Sequence, residues 1–337
     1  MNSKIKIRSA LVSVFDKKGI EPIIKEFERK KIIIYSTGGT GNYIKKLGVK
    51  FIPIEDITSY PSILGGRVKT LHPKVFGGIL NRKNKKEDQK ELLDYEIPQI
   101  DLVIVDLYPF EETVRTTKNE KEIIEKIDIG GISLIRAAAK NFNDVLCISD
   151  KSDYSDLLYL LKNQEAKTNI ETRKRFAAKA FDISSNYDTA IFNFFNSNNI
   201  FNSLKISSTS SLPLRYGENP HQSADFYGDL KKVISQIHGK QLSYNNLLDI
   251  DNAINLISEF KTAKPTFAIL KHNNACGIST KKNLSLAYKS ALMSDPISAF
   301  GGVLVCNAEV DLKTAKLLRK LFFEVLIAPK FDKNALE

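Results

Sequence analysis

An acid, two glycines and two cations are strung along Asp128-Ile129-Gly130-Gly131-Ile132-Ser133-Leu134-Ile135-Arg136-Ala137-Ala138-Ala139-Lys140. The glycines open a strongly helix-forming run and leave backbone N–H groups at its start, where the helix dipole favours an anion or a polar ligand atom. Arg136 and Lys140, four apart, share one face, and Leu134, Ile135 and Ala138 fall mostly on the other. An acid at the mouth and cations along one side suit a small anionic ligand. The plain alternative is a capped amphipathic helix whose Arg and Lys are solvated.

Two other stretches carry chemistry of the same kind. Ser36-Thr37-Gly38-Gly39-Thr40-Gly41 follows a strand-like run and precedes a helix-like one, the arrangement in which glycines admit a phosphate and hydroxyls add donors. It lacks the GK[ST] ending of a P-loop. Gly65-Gly66-Arg67-Val68-Lys69-Thr70-Leu71-His72-Pro73 has neither helical nor strand period. A loop so rich in cations and glycines is costly to order unless it binds something, the alternative being a mobile surface loop. Tyr108 follows the apolar run 101–106 and is placed to reach a site beyond a strand end, or to serve as a rim aromatic.

These loops need elements to hold them. Runs at 10–15, 31–35, 49–54, 101–106 and 145–149 read as short strands. Helical periods fill 20–30, 40–47, 152–161 and 169–195, besides the run that opens at Gly130. Strand–helix alternation of this kind predicts a parallel sheet covered on both faces. Residues 196–212, rich in Asn and Ser, read as a linker, so the expected domains are 1–196 and 213–337. In the second, a helix is predicted over 251–260, with strands at 266–270 and 303–306.

Composition narrows the function classes. The chain has 337 residues, 42% hydrophobic and 26% charged, which is globular. No segment is apolar for long enough to span a bilayer. Cys147, Cys276 and Cys306 are far apart and fit no metal or disulfide spacing, so no metal is expected and a reducing cytoplasm is the expected compartment. The net charge of +11 is spread out, and its one dense run, 82–90, is mixed with acids. With no nucleic-acid-binding pattern, the charge reads as a solvated surface with pockets for phosphorylated or carboxylated small molecules.

Taken in order, the motifs resemble the bifunctional purine-biosynthesis family that joins 5-aminoimidazole-4-carboxamide ribonucleotide (AICAR) formyltransferase to IMP cyclohydrolase. They are STGGT at 36–40, GGRVKTLHP at 65–73, LYPF at 107–110, DIGG…RAAAK at 128–140, RYGENPHQ from Arg215, NLLD from Asn246, KH…CG from Lys271 and DP-SAFGG from Asp295. The resemblance implies a methylglyoxal-synthase-like α/β domain that closes the formylated ribonucleotide to IMP with loss of water and without a metal. It implies Lys140 as proton donor and acceptor, assisted by Lys69, Tyr108 and Asp128. Ser13, Lys17, Thr37, Gly38, Gly39 and Thr40 would hold the nucleotide, chiefly its phosphate. Arg67, Val68, Thr70, Leu107, Ile129 and Gly130 would complete the pocket.

The second domain resembles the formyltransferase, of cytidine-deaminase-like α/β fold, which uses 10-formyltetrahydrofolate as co-substrate. Lys271 and His272 match its catalytic pair, Arg215 and Tyr216 its nucleotide-binding start, and Gly301 and Glu324 later binding positions. The family's domain continues past the point that matches Glu337, so this half is expected to be incomplete, with an impaired core and activity. The family also implies a homodimer acting on purine ribonucleotides, with no nucleic acid or membrane as partner. Phe15 stands where the family often has a small polar residue, and Asp106 where it usually has Asn. The alternatives are a non-catalytic purine-nucleotide-binding or regulatory module, and a methylglyoxal-synthase-like lyase.

Overall fold

The computed structural model describes residues 4–337, in two units that part between Thr209 and Ser210. The first is built on five parallel strands, β1 (Ser9–Ser13), β2 (Ile33–Ser36), β3 (Ile52–Pro53), β4 (Leu102–Val105) and β5 (Leu146–Ile148), in the order β3-β2-β1-β4-β5. Ala10 lies between Ile34 and Leu102 in register. The helices that pack on it or frame its loops include α1 (Glu21–Arg29), α2 (Gly38–Lys46), α3 (Pro73–Leu80), α4 (Phe110–Thr116), α5 (Gly130–Lys140), α6 (Tyr154–Asn163) and α7 (Ile170–Phe195).

Helices cover both faces, which is why Ala10-Leu11-Val12 and Leu102–Val105 are continuous apolar runs without alternation. On one face Ile24, Phe27, Ile44 and Leu157 of α1, α2 and α6 pack on Val12, Ile34 and Ile104. On the other, Val75, Leu134, Ala138 and Ala180 of α3, α5 and α7 pack on Leu11, Val103 and Cys147. The chain turns to opposite sides of β1 when it lays down β2 and β4, so a crevice opens at their carboxyl ends, the usual ligand position in such sheets.

Local starts differ from the sequence reading in informative ways. The second helix begins at Gly38, not Thr40, so Gly38 and Gly39 form its first turn. Residues 65–73 are partly ordered by a 3-10 turn at Leu64–Gly66 and a bridge between Ile63 and Val68, and Pro73 starts α3.

At the opposite edge of the sheet, buried Asp101 accepts hydrogen bonds from the backbone amides of Arg8 (2.7 Å) and Ser9 (3.2 Å). The Lys83 ammonium pairs with the same carboxylate and donates to the Asp144 carbonyl at 2.9 Å.

The second unit contains α8 (Tyr244–Ser258), β6 (Thr266–Lys271), β7 (Asn274–Thr280), α9 (Leu284–Leu292), β8 (Gly302–Cys306), α10 (Leu312–Leu318) and β9 (Phe323–Ile327). Its sheet runs β7-β6-β8-β9, with only the β8–β9 pair parallel. α8 starts seven residues before the predicted Asp251, because Ser243 and Asn246 close a reciprocal capping box. Leu284, Tyr288 and Leu318 fill one face of the sheet and Ala253 of α8 the other, while edge strand β9 stays half-buried. Among the described residues no helix is long and apolar enough to cross a membrane.

The Asp101 cluster gives a stability test. Asp101→Ala leaves the Lys83 ammonium and two strand-edge amides without their acceptor, so the first unit should lose about 3 kcal/mol. Urea unfolding should show a lower midpoint at an unchanged slope; an unaltered midpoint would show that the cluster adds nothing to stability.

Candidate active site

The crevice is closed by a turn that needs an acceptor. Asp106, one residue past β4, accepts from the backbone N–H of Phe15 through one carboxylate oxygen and from that of Asp16 through the other, the latter at 2.9 Å. Asn in its place could offer only one such oxygen. The carboxylate therefore faces the 15–16 backbone, and it ties the end of β1 to the end of β4. Burial pushes the Asp106 carboxyl above its usual range, against the pull of those two amides and of Lys17.

Hydroxyls and ammonium groups gather beside this turn. The Thr40 hydroxyl both accepts from the Val14 amide and donates to the Val14 carbonyl, each at 3.0 Å, which fixes α2 against the end of β1. Ser13 Oγ and Thr37 Oγ1 are 3.0 Å apart. Lys17 Nζ donates to the carbonyls of Val14 and Phe15 at 2.8 Å and lies 3.9 Å from where a Cβ of Gly39 would be. Lys69 Nζ lies 3.3 Å from the corresponding point at Gly38, whose φ of +32° also suits glycine. Two ammonium groups thus flank an exposed helix start whose first amides point outward, a setting for a phosphate.

The loop that carries Lys69 also reaches the start of α5. Thr70 Oγ1, on a buried residue, is 3.2 Å from the Cβ position of Gly130. Arg67 pairs with Glu125, so the loop is joined to the segment before α5 a second time. Val68 holds the loop's own bridge, Leu107 packs partly buried beneath α4 and α5, and Ile129 stands exposed at the α5 N-cap.

Asp128 caps α5, accepting from the Gly131 amide at 2.6 Å. Burial raises its carboxyl pKa above the usual range, the Gly131 hydrogen bond opposes this, and the nearby Asp106 charge raises it further. The Tyr108 phenol is itself pushed up by burial and by Asp128 and Asp106. Phe15 and Tyr108 meet edge to face at 5.3 Å, and the Lys126 ammonium stands 5.3 and 5.6 Å from their ring centres.

The structure brings together Ser13, Lys17, Thr37–Thr40, Lys69, Thr70, Tyr108, Asp128 and Gly130, and it does not bring in Lys140. Lys140 is the last residue of α5, ten residues from Gly130, so about 15 Å of helix separates it from the crevice. The next residue, Asn141, donates to the carbonyls of Ile79 and Asn81 at 2.8 Å, at the end of the sheet where β5 begins. Within one chain the exposed Lys140 amine therefore lies away from Lys69 and the 37–40 turn. Arg136 likewise points away from a ligand: it donates to Ser184 Oγ at 3.1 Å and stacks on Phe181, both on α7. Sequence reasoning missed the roles of Asp106, Lys126 and Tyr187; only the departure of Asp106 from the family pattern marked it out.

In the second unit Lys271 ends β6 and pairs with Asn274 across a two-residue turn. His272 and Asn273, the turn residues, have φ of +50° and +66°, as a type I′ hairpin requires. Lys271 Nζ donates to the Phe300 carbonyl at 2.8 Å, beside Gly301. Arg215 lies over the Tyr216 ring and donates to Asn246 Oδ1 at 3.4 Å, while Asn246 Nδ2 donates to Glu324 at 2.9 Å. Asn246 thus links the predicted binding residues Arg215 and Glu324. Among the described residues no group of three or more His, Cys, Asp or Glu side chains is arranged to hold a metal.

Comparison with known proteins bears on this arrangement. A family model described as AICARFT/IMPCHase bienzyme matches residues 138–337, and one described as MGS-like domain matches 19–133. Curated relatives called bifunctional purine biosynthesis protein PurH are similar throughout. The one from Bacteroides thetaiotaomicron is 52% identical over all of this chain and 66% of its own length. Those from Caldicellulosiruptor saccharolyticus and Clostridium botulinum are 44% and 43% identical over 98% of this chain and 66% and 67% of theirs. The chain thus spans about two thirds of the length of these relatives.

The raised Asp128 pKa sets the sign of a stability test. A carboxyl whose folded pKa exceeds its unfolded value contributes stability below the unfolded value and loses it as pH rises through the folded one. Asp128→Asn removes that loss and keeps an acceptor for the Gly131 amide. The variant should melt above wild type at neutral pH, with the gap closing as pH falls through the acid range. A lower melting temperature at pH 7 would count against a desolvated, ionised Asp128.

Proposed function

From the premise that the chain belongs to the AICARFT/IMPCHase bienzyme family, we propose that its first unit is an IMP cyclohydrolase, acting in purine biosynthesis on the 5-formamido-imidazole-4-carboxamide ribonucleotide. The observation that carries this reading is the reach of one loop: Lys69 abuts the glycine start of α2, and Thr70, the next residue, abuts the glycine start of α5. A phosphate held at the first start, by Gly38, Gly39, Thr37 and the ammonium groups of Lys17 and Lys69, sets the imidazole toward the second.

Ring closure needs the carboxamide nitrogen to bond to the formyl carbon and lose one proton; the formamido nitrogen then loses its own proton as its C=N bond forms and the C–O bond breaks, so the former formyl oxygen departs with both protons as water. Asp128, kept partly desolvated beside Tyr108, is suited to take the carboxamide nitrogen's proton. The Tyr108 phenol and the Lys69 ammonium are the donors suited to the oxygen as it gains charge and then leaves. All the protons can be carried by side chains, and no metal is required.

For the second unit the family reading is formyl transfer from 10-formyltetrahydrofolate to AICAR. His272 would take the proton from the attacking amine, and Lys271 would stabilise charge at the transferred group. Arg215, Tyr216, Gly301 and Glu324 would hold the nucleotide. A homodimer in the cytoplasm accompanies this reading.

The test is to follow IMP absorbance with the purified chain and the formylated ribonucleotide. Wild type should turn over, and Lys69→Met and Asp128→Asn should each lose at least about a hundredfold in kcat/KM. IMP binding without turnover would point instead to a non-catalytic nucleotide-binding module. Lys140→Ala separates two arrangements: kcat near that of wild type fits a site confined to one chain, whereas a loss matching that of Lys69→Met means the amine is borrowed from a second chain.

A further inference from the structure

We propose that Tyr187, on α7, is a positioning residue for the Asp128 carboxylate, an inference that rests on the cyclohydrolase reading of the same site. Its side chain is buried, and its hydroxyl sits inside the turn that delivers Asp128. It donates to the Lys126 carbonyl at 2.5 Å and accepts from the Asp128 amide at 2.8 Å. One hydroxyl thus holds both ends of a three-residue turn, 126–128, that is 59 or more residues away in sequence.

The turn leaves a short helix, Glu120–Ile124, through the amides of Lys126 and Ile127, and Ile127 packs in the cluster of Phe110 and Tyr187. On its outer side Glu125 pairs with Arg67, and Lys126 stands over the rings of Phe15 and Tyr108. The turn must present two groups to the crevice at once. Lys126 has to lie over the Phe15 and Tyr108 rings, and Asp128 has to cap α5 while its carboxylate stays partly desolvated beside Tyr108. A buried hydroxyl that binds a carbonyl and an amide two residues apart fixes that spacing without adding a charge.

The ring of Tyr187 secures the other side of the crevice. It meets the Phe110 ring at 6.0 Å, and Phe110 is fully buried at the start of α4, two residues after Tyr108. One side chain on a 26-residue helix therefore holds the Tyr108 arm through its ring and the Asp128 arm through its oxygen. The charge acting on the Asp128 carboxylate is that of Asp106 from the end of β4, and the titratable phenols that feel Asp128 are those of Tyr108 and of Tyr187 itself. Loosening the turn lets the carboxylate move toward water and away from Asp106, so the group should become more acidic.

Tyr187→Phe tests this, because it keeps the ring contacts and removes only the oxygen. With the formylated ribonucleotide, kcat should fall by between about ten- and a hundredfold while KM changes little. The acid limb of the kcat–pH profile should move to lower pH, a shift that general destabilisation would not produce. Hydrogen exchange over residues 126–132 should speed up, with α1 and the sheet unchanged. An unaltered kcat, acid limb and exchange rate overturns the proposal. If wild type itself shows no turnover, the cyclohydrolase reading fails on its own, and the exchange measurement still decides: faster exchange confined to 126–132 supports the strap, and unchanged exchange rejects it. Tyr187→Trp, which keeps an N–H donor but offers no acceptor for the Asp128 amide, should not restore the acid limb.

Discussion

Everything at the carboxyl edge of the first sheet depends on where Asp106 sends its two oxygens. A parallel sheet ends in a row of loops whose amides have left the ladder and still need acceptors. Here β1 runs into Phe15 and Asp16, and their amides are met by one side chain from the end of the neighbouring strand. The bridge costs a partly buried charge, which is why the Asp106 carboxyl rises above its usual range. In return the 14–17 segment has one shape, and Thr40 and Lys17 can bond to its carbonyls. The gathering of hydroxyls and ammonium groups here is therefore a consequence of how two strands are closed, and the glycine turn at the start of α2 is one part of it.

A second carboxylate within electrostatic reach of the first makes the edge chemically useful. Two acids in a crevice cannot both ionise freely, and burial adds to the penalty. Asp106 has both oxygens engaged with backbone amides, while Asp128 is oriented by the start of α5 and by a turn strapped to α7. The rings of Phe15 and Tyr108 meet edge to face at this corner, and the Lys126 ammonium stands over both. Phe15, which departs from the usual small polar residue, thus has a structural partner.

Much of this was legible from the residues. Apolar runs gave the strands, 3.6-residue periods gave the helices, and glycine, hydroxyl and lysine clusters marked the loops that do converge. What stayed hidden has one physical character. Asp106 and Tyr187 act by bonding to backbone amides and carbonyls 59 to 91 residues away, and a backbone group has no letter in a sequence. The early start of α8 belongs to the same class, since a capping box displaces a helix boundary without changing its apolar period.

Lys140 shows the opposite limit: its motif was legible, but a motif carries no distance. Asp128 and Lys140 sit in one continuous string of the sequence, and such a string invites a single site. An α-helix converts ten residues into about 15 Å, nearly the full height of a sheet whose strands here are two to five residues long. α5 runs antiparallel to the strands, so its first residue lies at the crevice and its last at the opposite edge. An amine at position 140 can serve a crevice only where another copy's crevice comes to meet it. Acid and cradle, by contrast, need no second chain, because the Lys69–Thr70 loop touches both helix starts from within the same unit.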